Sequence, residues 1–186
     1  FKEFEAGATT TSGQKVKILR SDNGGEYTSK DFTVYLKKSG IQRQLTAPYT
    51  PQQNGVAERM NRTLVEAARA MLGQAGLPYC YWGEAVMTAV YLRNRSPTKA
   101  LDGGKTPYEA WTGQKPEVGH LRVFGCNAYV HVPAEKRQKL DEKSIKCVFM
   151  GYSAESKAWR CVNRDNNRVY VSRDVAFDEN SFGGQQ

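Results

Sequence analysis

Two carboxylates and the cations near them are the side chains whose type and spacing could do chemistry in this 186-residue chain. Asp22 follows Lys15 to Arg20, where Val16 and Ile18 alternate with lysines as on a half-buried strand, so it stands at the strand's C-terminal end. Glu58 opens a long helical pattern in which Met60, Leu64, Ala67, Ala68, Met71 and Leu72 recur at one-face spacing. Thirty-five residues separate the two acids. A chain with 19 acidic residues offers many such pairs, so spacing alone leaves open a turn aspartate and a helix-surface glutamate. Arg62, one helical turn beyond Glu58, could contact a nucleic-acid phosphate or pair with Glu58 or Glu66. The segment from Ala47 to Gly55 is too rich in Pro, Gly and Asn for regular structure and reads as a mobile loop.

The elements that must position these groups change character along the chain. Phe1, Phe4 and Ala6 suit a helix end, broken by the Thr/Ser/Gly run from Thr9 to Gly13. Thr28, Ser29 and Asp31 approximate a capping box for a short helix carrying Phe32, Tyr35 and Leu36, stopped by Gly40, and Ile41 to Leu45 alternates as a strand. The long helix from Val56 ends near Gly73 and Gly76. A second runs from about Trp82 to Leu92, with Trp82, Val86, Ala89 and Val90 on one side, and a short one from Thr106 through Trp111. After Pro116 the pattern becomes β: Val123 to Val132, Lys146 to Tyr152, Ala158 to Asn163 and Arg168 to Phe177, four or five short strands suited to a small barrel. Gly183 to Gln186 reads as tail or linker.

Composition bounds the rest. Hydrophobic residues at 39% and charged residues at 25% predict a packed core, which disfavours a disordered chain. The formal charge of +8 makes an acidic partner, nucleic acid first, plausible without naming it. Cys80, Cys126, Cys147 and Cys161 form no C-x-x-C pair and read as buried free thiols, and His120 and His131 lack zinc-finger spacing. No run of ~18 apolar residues and no charged-then-apolar leader is present, so a soluble intracellular chain is expected. A start at Phe1 suggests that the natural beginning lies elsewhere or that the chain was processed. In the β half, the ten Lys and Arg residues from Lys136 to Arg173 interleave with Tyr129, Phe149, Tyr152, Trp159 and Tyr170. Such aromatics serve either a nucleic-acid surface or, the favoured reading here, a barrel core with a charged exterior.

The phrases around the two acids, Leu19-Arg20-Ser21-Asp22-Asn23-Gly24-Gly25-Glu26-Tyr27 and Pro51-Gln52-Gln53-Asn54-Gly55-Val56-Ala57-Glu58-Arg59-Met60-Asn61-Arg62, resemble retroviral-type integrases. Tyr91 to Pro97, Thr106 to Trp111 and His120 to Cys126 resemble the copia branch of retrotransposon Pol polyproteins, and the resemblance extends from Phe1 to about Asp178. It implies an α/β fold: a partial RNase H-like integrase core, its leading strands missing, over residues 1–115, then a small all-β SH3-like barrel over 116–178 and a tail or linker over 179–186.

The resemblance further implies DNA integration, the joining of element DNA 3′ ends to target DNA by metal-dependent transesterification. Asp22 and Glu58 match the last two of three carboxylates that hold two Mg²⁺ or Mn²⁺ ions, hard cations that take oxygen ligands. Gln52, Gln53, Asn54, Arg59 and Arg62 fall where DNA contacts are expected. The partners implied are element and target DNA and further copies of the integrase, with no membrane, in the nucleus after a cytoplasmic phase in particles. Only Glu3 and Glu5 precede Asp22 as acids and neither fits the first-ligand role. The chain is therefore expected to lack the first ligand and the family's upstream zinc-binding domain, to be inactive alone, and to be marginally stable because an edge is left unpaired. The alternative is a non-catalytic DNA-binding or interaction remnant of a domesticated or decayed element. A ribonuclease H-type nuclease ranks last, because it fits the Pro48 to Arg62 segment poorly.

Overall fold

The computed structural model describes residues 1–47 and 54–184. Gln52, Gln53 and most of the segment read as a loop lie outside the described residues. The chain divides into two compact units, Phe1–Arg62 with Trp111–Gly113, and Thr63–Ala110 with Gln114–Gln186.

In the first unit, α1 (Lys2–Ser12) is a complete helix. The Thr run does not break it, because Thr10 Oγ1 and Ser12 Oγ donate back to the Ala6 and Ala8 carbonyls, and only Gly13, in the left-handed conformation, ends it. Strand β1 (Ile18–Ser21) starts later than the sequence suggests. Ile18 is half exposed while Ser21 is buried, so the inward face is opposite to the expected one. With a period of two, a one-residue error in phase exchanges the whole set. A single turn α2 (Gly25–Thr28) and helix α3 (Lys30–Ser39) then lead to β2 (Gln42–Leu45), which pairs with β1 in parallel, Ile18 opposite Gln42 and Ser21 opposite Leu45. Ser29 caps α3 through the Phe32 amide at 3.4 Å, and Gly40 closes it. Arg43 donates to the Tyr27 carbonyl at 2.9 Å and Thr33 Oγ1 at 3.0 Å, tying β2 to the crossover, and Tyr35 donates to the Glu5 carboxylate, tying α3 to α1.

Helix α4 (Gly55–Ala75) runs past Gly73, and Gly76 is the residue in the left-handed region. Its apolar stripe is buried only toward the C-terminal end, at Ala68, Leu72 and Ala75, whereas Val56 and Met60 are exposed. In the second unit that end of α4 joins α5 (Trp82–Arg95) over a five-stranded antiparallel sheet of order β6-β5-β4-β3-β7. Its strands are β3 (Cys126–His131), β4 (Ser144–Tyr152), β5 (Trp159–Asn163), β6 (Arg168–Ser172) and β7 (Val175–Phe182). The run read as one strand from Arg168 to Phe177 is two, turning at Arg173 and Asp174. Residues 179–182, expected as tail, complete β7, which pairs with β3. Helix α6 (Pro107–Thr112) begins where Thr106 Oγ1 accepts from the Glu109 amide at 3.0 Å.

Two cores meet at β4. Val148 and Met150 point toward Leu72, Ala85 and Phe124, and Cys147 and Phe149 point toward Cys126, Ala128 and Cys161 in the barrel interior. Helix α5 seats itself so closely that Thr88 Oγ1 donates to the Met150 carbonyl at 2.9 Å, and a Cβ on Gly151, at φ 142°, would collide with that hydroxyl. The helix therefore buries Ala85, Thr88 and Ala89, while Trp82, expected inward, is 63% exposed. An Arg160–Glu84 pair, with N–O distances of 3.0 and 2.5 Å, fastens α5 to β5. Cys80 is exposed, contrary to expectation, because it sits in a single 3₁₀ turn, Tyr79–Tyr81, that buries none of its residues. Tyr129 points outward from β3 for the reason of alternation, whereas Phe149 is fully buried and Tyr152, Trp159 and Tyr170 pack on the barrel core as expected.

Candidate functional site

Asp22 leaves the carboxyl end of β1, and its Oδ1 accepts the Gly24 amide at 3.0 Å, a local turn bond that restrains the carboxylate's rotation. The next residue fixes the turn to the neighbouring strand: Asn23 Nδ2 donates to the Thr46 carbonyl at 2.9 Å, and the Thr46 amide donates to the Ser21 carbonyl at 3.0 Å. Ser21 and Thr46 are both buried, so the ends of the parallel pair are held while the Asp22 side chain faces solvent. Asn23 was not among the residues singled out by sequence. Its signal was position alone, an amide directly after the carboxylate in a turn.

Glu58 lies in the first turn of α4, where a negative charge also complements the helix dipole. It is exposed, as are Arg59 and Arg62, and Asn54 is half-buried just ahead of the helix. Among the described residues ion pairs join Arg122 to Glu179 and Arg160 to Glu84, and none joins Arg62 to Glu58. Asp22 and Glu58 belong to the same compact unit. Among the described residues no group of three or more His, Cys, Asp or Glu is placed to hold a metal ion, and the Glu5 carboxylate is engaged by Tyr35. Two carboxylates are the right kind of donor for a hard divalent cation.

The second unit carries a separate polar constellation. Tyr91 hydrogen-bonds His120 Nε2 at 2.7 Å, the Trp159 indole donates to the His120 carbonyl at 3.0 Å, and the Arg122 amide donates to Tyr152 Oη at 3.1 Å. Burial, then the Arg95 charge, lowers the pKa of His120 and keeps it neutral near pH 7, and burial raises those of Tyr91 and Tyr152. Burial likewise pushes the Cys126 and Cys161 thiols to about 12 and Cys147 to about 11. These thiols are packing groups and not nucleophiles at neutral pH. Among the described residues no helix is long and apolar enough to cross a membrane.

Residues 126–186 match the family described as the retroviral polymerase SH3-like domain, and the match begins with β3. The chain is 51% identical over 179 residues to the retrovirus-related Pol polyprotein from transposon TNT 1-94 of Nicotiana tabacum, covering 96% of this chain and 13% of that one. It is 41% identical over 168 residues to the corresponding polyprotein from transposon RE1 of Arabidopsis thaliana, covering 90% and 11%. The catalytic core domain of BIV integrase overlaps 52% of this chain and 59% of its own at 32% identity, with a TM-score of 0.39. The chain thus spans about an eighth of the polyproteins it resembles.

Proposed function

We infer, for a chain that belongs to the retrovirus-related Pol polyproteins of copia-type transposons, that it is the later part of their integrase. Residues 1–115 are read as the closing part of an RNase H-like catalytic core, and the SH3-like domain follows from 116. The parent protein, on this reading, joins element DNA 3′ ends to target DNA. What carries the reading is the placement of Asp22, an exposed carboxylate at the carboxyl end of a strand in a parallel pair, the end at which open α/β sheets keep their ligand sites.

Asp22 and Glu58 are the residues that would hold a divalent cation, Mg²⁺ or Mn²⁺. Once bound, a pair of such ions supplies Lewis-acid stabilisation of the attacking and leaving oxygens of a phosphodiester. The chain's own contribution is positional. The Gly24 amide restrains the Asp22 carboxylate, Asn23 holds its turn to Thr46, and Arg59 and Arg62 present cations along the helix that carries Glu58. Gln53 and Asn54, ahead of that helix, are read as DNA contacts. Element and target DNA, and further copies of the integrase, are the partners, and the nucleus, after a cytoplasmic phase in particles, is the place of action.

The test is made in the complete parent protein with Asp22→Asn and Glu58→Gln. Strand joining should be abolished while salt-sensitive DNA binding persists. Joining at the native rate in either variant would remove the assigned role. A second reading, a non-catalytic DNA-binding remnant, draws on the formal charge of +8, which needs neither carboxylate. For such a protein the unsubstituted parent binds DNA and joins nothing.

A further inference from the structure

We propose that a cleft of about 510 Å³ in the second unit, bounded by Tyr91, Arg95, Lys115, Tyr152 and Lys157, binds a phosphodiester of a nucleic-acid strand, with Arg95 as the phosphate-recognising group. The proposal rests on the DNA-binding part of the function inferred above and assigns it a site. Tyr152 stacks on Tyr91 at 4.1 Å between centroids and 17° between planes, and the Arg95 guanidinium carbon lies 3.5 Å from the same Tyr91 centroid. Both cannot occupy one face of the ring, so Tyr91 is sandwiched. The Tyr108 ring centroid also lies 4.9 Å from the guanidinium carbon, so two tyrosine rings flank Arg95.

A guanidinium held against aromatic rings in this way is pre-oriented without a carboxylate partner, because no ion pair among the described residues involves it. Arg95 spends an N–H on the Tyr91 carbonyl at 3.3 Å, out of the five that a guanidinium carries. The in-plane fork that remains suits two phosphate oxygens. Lys115 and Lys157 are exposed on the walls, and Glu117 is the opposing acid, so three cations face one anion. The Tyr91 ring is covered on both sides, which disfavours an unpaired base stacking on it and favours the backbone as ligand. The sequence held one signal of this arrangement, an aromatic and an arginine four residues apart on a helix.

The experiment measures binding of the full chain to a fluorescent 20-nucleotide single strand and to the matching duplex across a salt series. Arg95→Gln, and separately the double variant Lys115→Gln/Lys157→Gln, should each weaken binding about tenfold or more. The slope of log affinity against log salt should shrink by ~0.7 for a single strand, or ~0.9 for a duplex, for each phosphate no longer neutralised. Arg95→Lys keeps the charge and should lose affinity with little change of slope. Control variants outside the cleft, Lys139→Gln and Arg173→Gln, should bind more nearly as the unsubstituted chain does. The arm with the larger loss tells whether the strand is single or paired. If Arg95→Gln fails to fold, the two exposed lysines carry the test. Folded cleft variants that bind like the unsubstituted chain overturn the site and leave the DNA-binding reading intact, whereas an unsubstituted chain that binds neither DNA overturns both.

Discussion

The two compact units divide their labour unevenly. In the first, the buried apolar residues among those described are Ala8, Leu36 and Ile41, and its sheet is a single parallel pair. In the second, two apolar clusters lie on opposite faces of β4, and the remaining buried apolar residues all belong there. Yet Asp22 and Glu58, the carboxylates proposed to act, are in the first. Buried area is the main source of stability, so the chemistry is proposed for the more weakly held unit.

The largest effect that could break this contrast is expected at Phe149. Replacing this fully buried ring by Ala should cost ~3–5 kcal/mol, whereas Leu36→Ala should cost about 2 kcal/mol, the low end for such a change, because its sparse surroundings can collapse onto the gap. Amide exchange read alongside chemical denaturation checks both. Strands β3 to β5 should form the slowest class in the native chain, β1 and β2 should exchange sooner, and Phe149→Ala should erase the slow class. Equal protection of β1 and β4 would remove the distinction.

Next in size is Gly151→Ala, which should destabilise the second unit by ~1–3 kcal/mol through its backbone conformation and the clash with Thr88. Thermal melts of this variant with and without Thr88→Ala, which removes the clashing hydroxyl, test whether the seat of α5 is the cause.

A pH effect of similar scale comes from the barrel thiols. Below about pH 8.5 a thiol is protonated in both folded and unfolded chains. Above it the unfolded chain ionises its thiols, while Cys147 waits until about 11 and Cys126 and Cys161 until about 12. The unfolded state then binds fewer protons, and stability falls as pH rises, by up to ~1.4 kcal/mol per unit for each thiol. Melting between pH 8 and 10 should show this slope, and Cys161→Ala should flatten it. The smallest effect is at Asp22→Asn, expected within ~0.5 kcal/mol in a melt, since an exposed amide oxygen can still accept from Gly24.

The second unit was the more legible in the sequence, because alternation and turn residues announce strands whose two faces differ. The turn at Arg173 and Asp174 was hidden because both flanking strands share one composition. The first unit was read less well. The Thr run of α1 looks like a breaker until its hydroxyls bond back into the helix, and β1 is too short for alternation to fix its phase. For the proposed site, Asp22 at a strand end and Glu58 at a helix start could be read in advance, but the Asn23–Thr46 bond could not, since twenty-three positions separate its partners. Helix α4 misled in another way. Its stripe is continuous in sequence, but burial depends on what lies opposite, and only the part from Ala68 onward meets the sheet-side core.

Strand β4 has both faces covered, and Cys147, Val148, Phe149 and Met150 are therefore consecutive, uncharged and fully enclosed. Released from the fold, the same four residues form a short uncharged run of strand-forming side chains, the kind of segment that templates pairing between chains. Lys143 and Lys146 on one side and the conformationally loose Gly151 on the other act as its gatekeepers. Covering one face of β4 with α5 and the other with the barrel core therefore also keeps this run from pairing between chains.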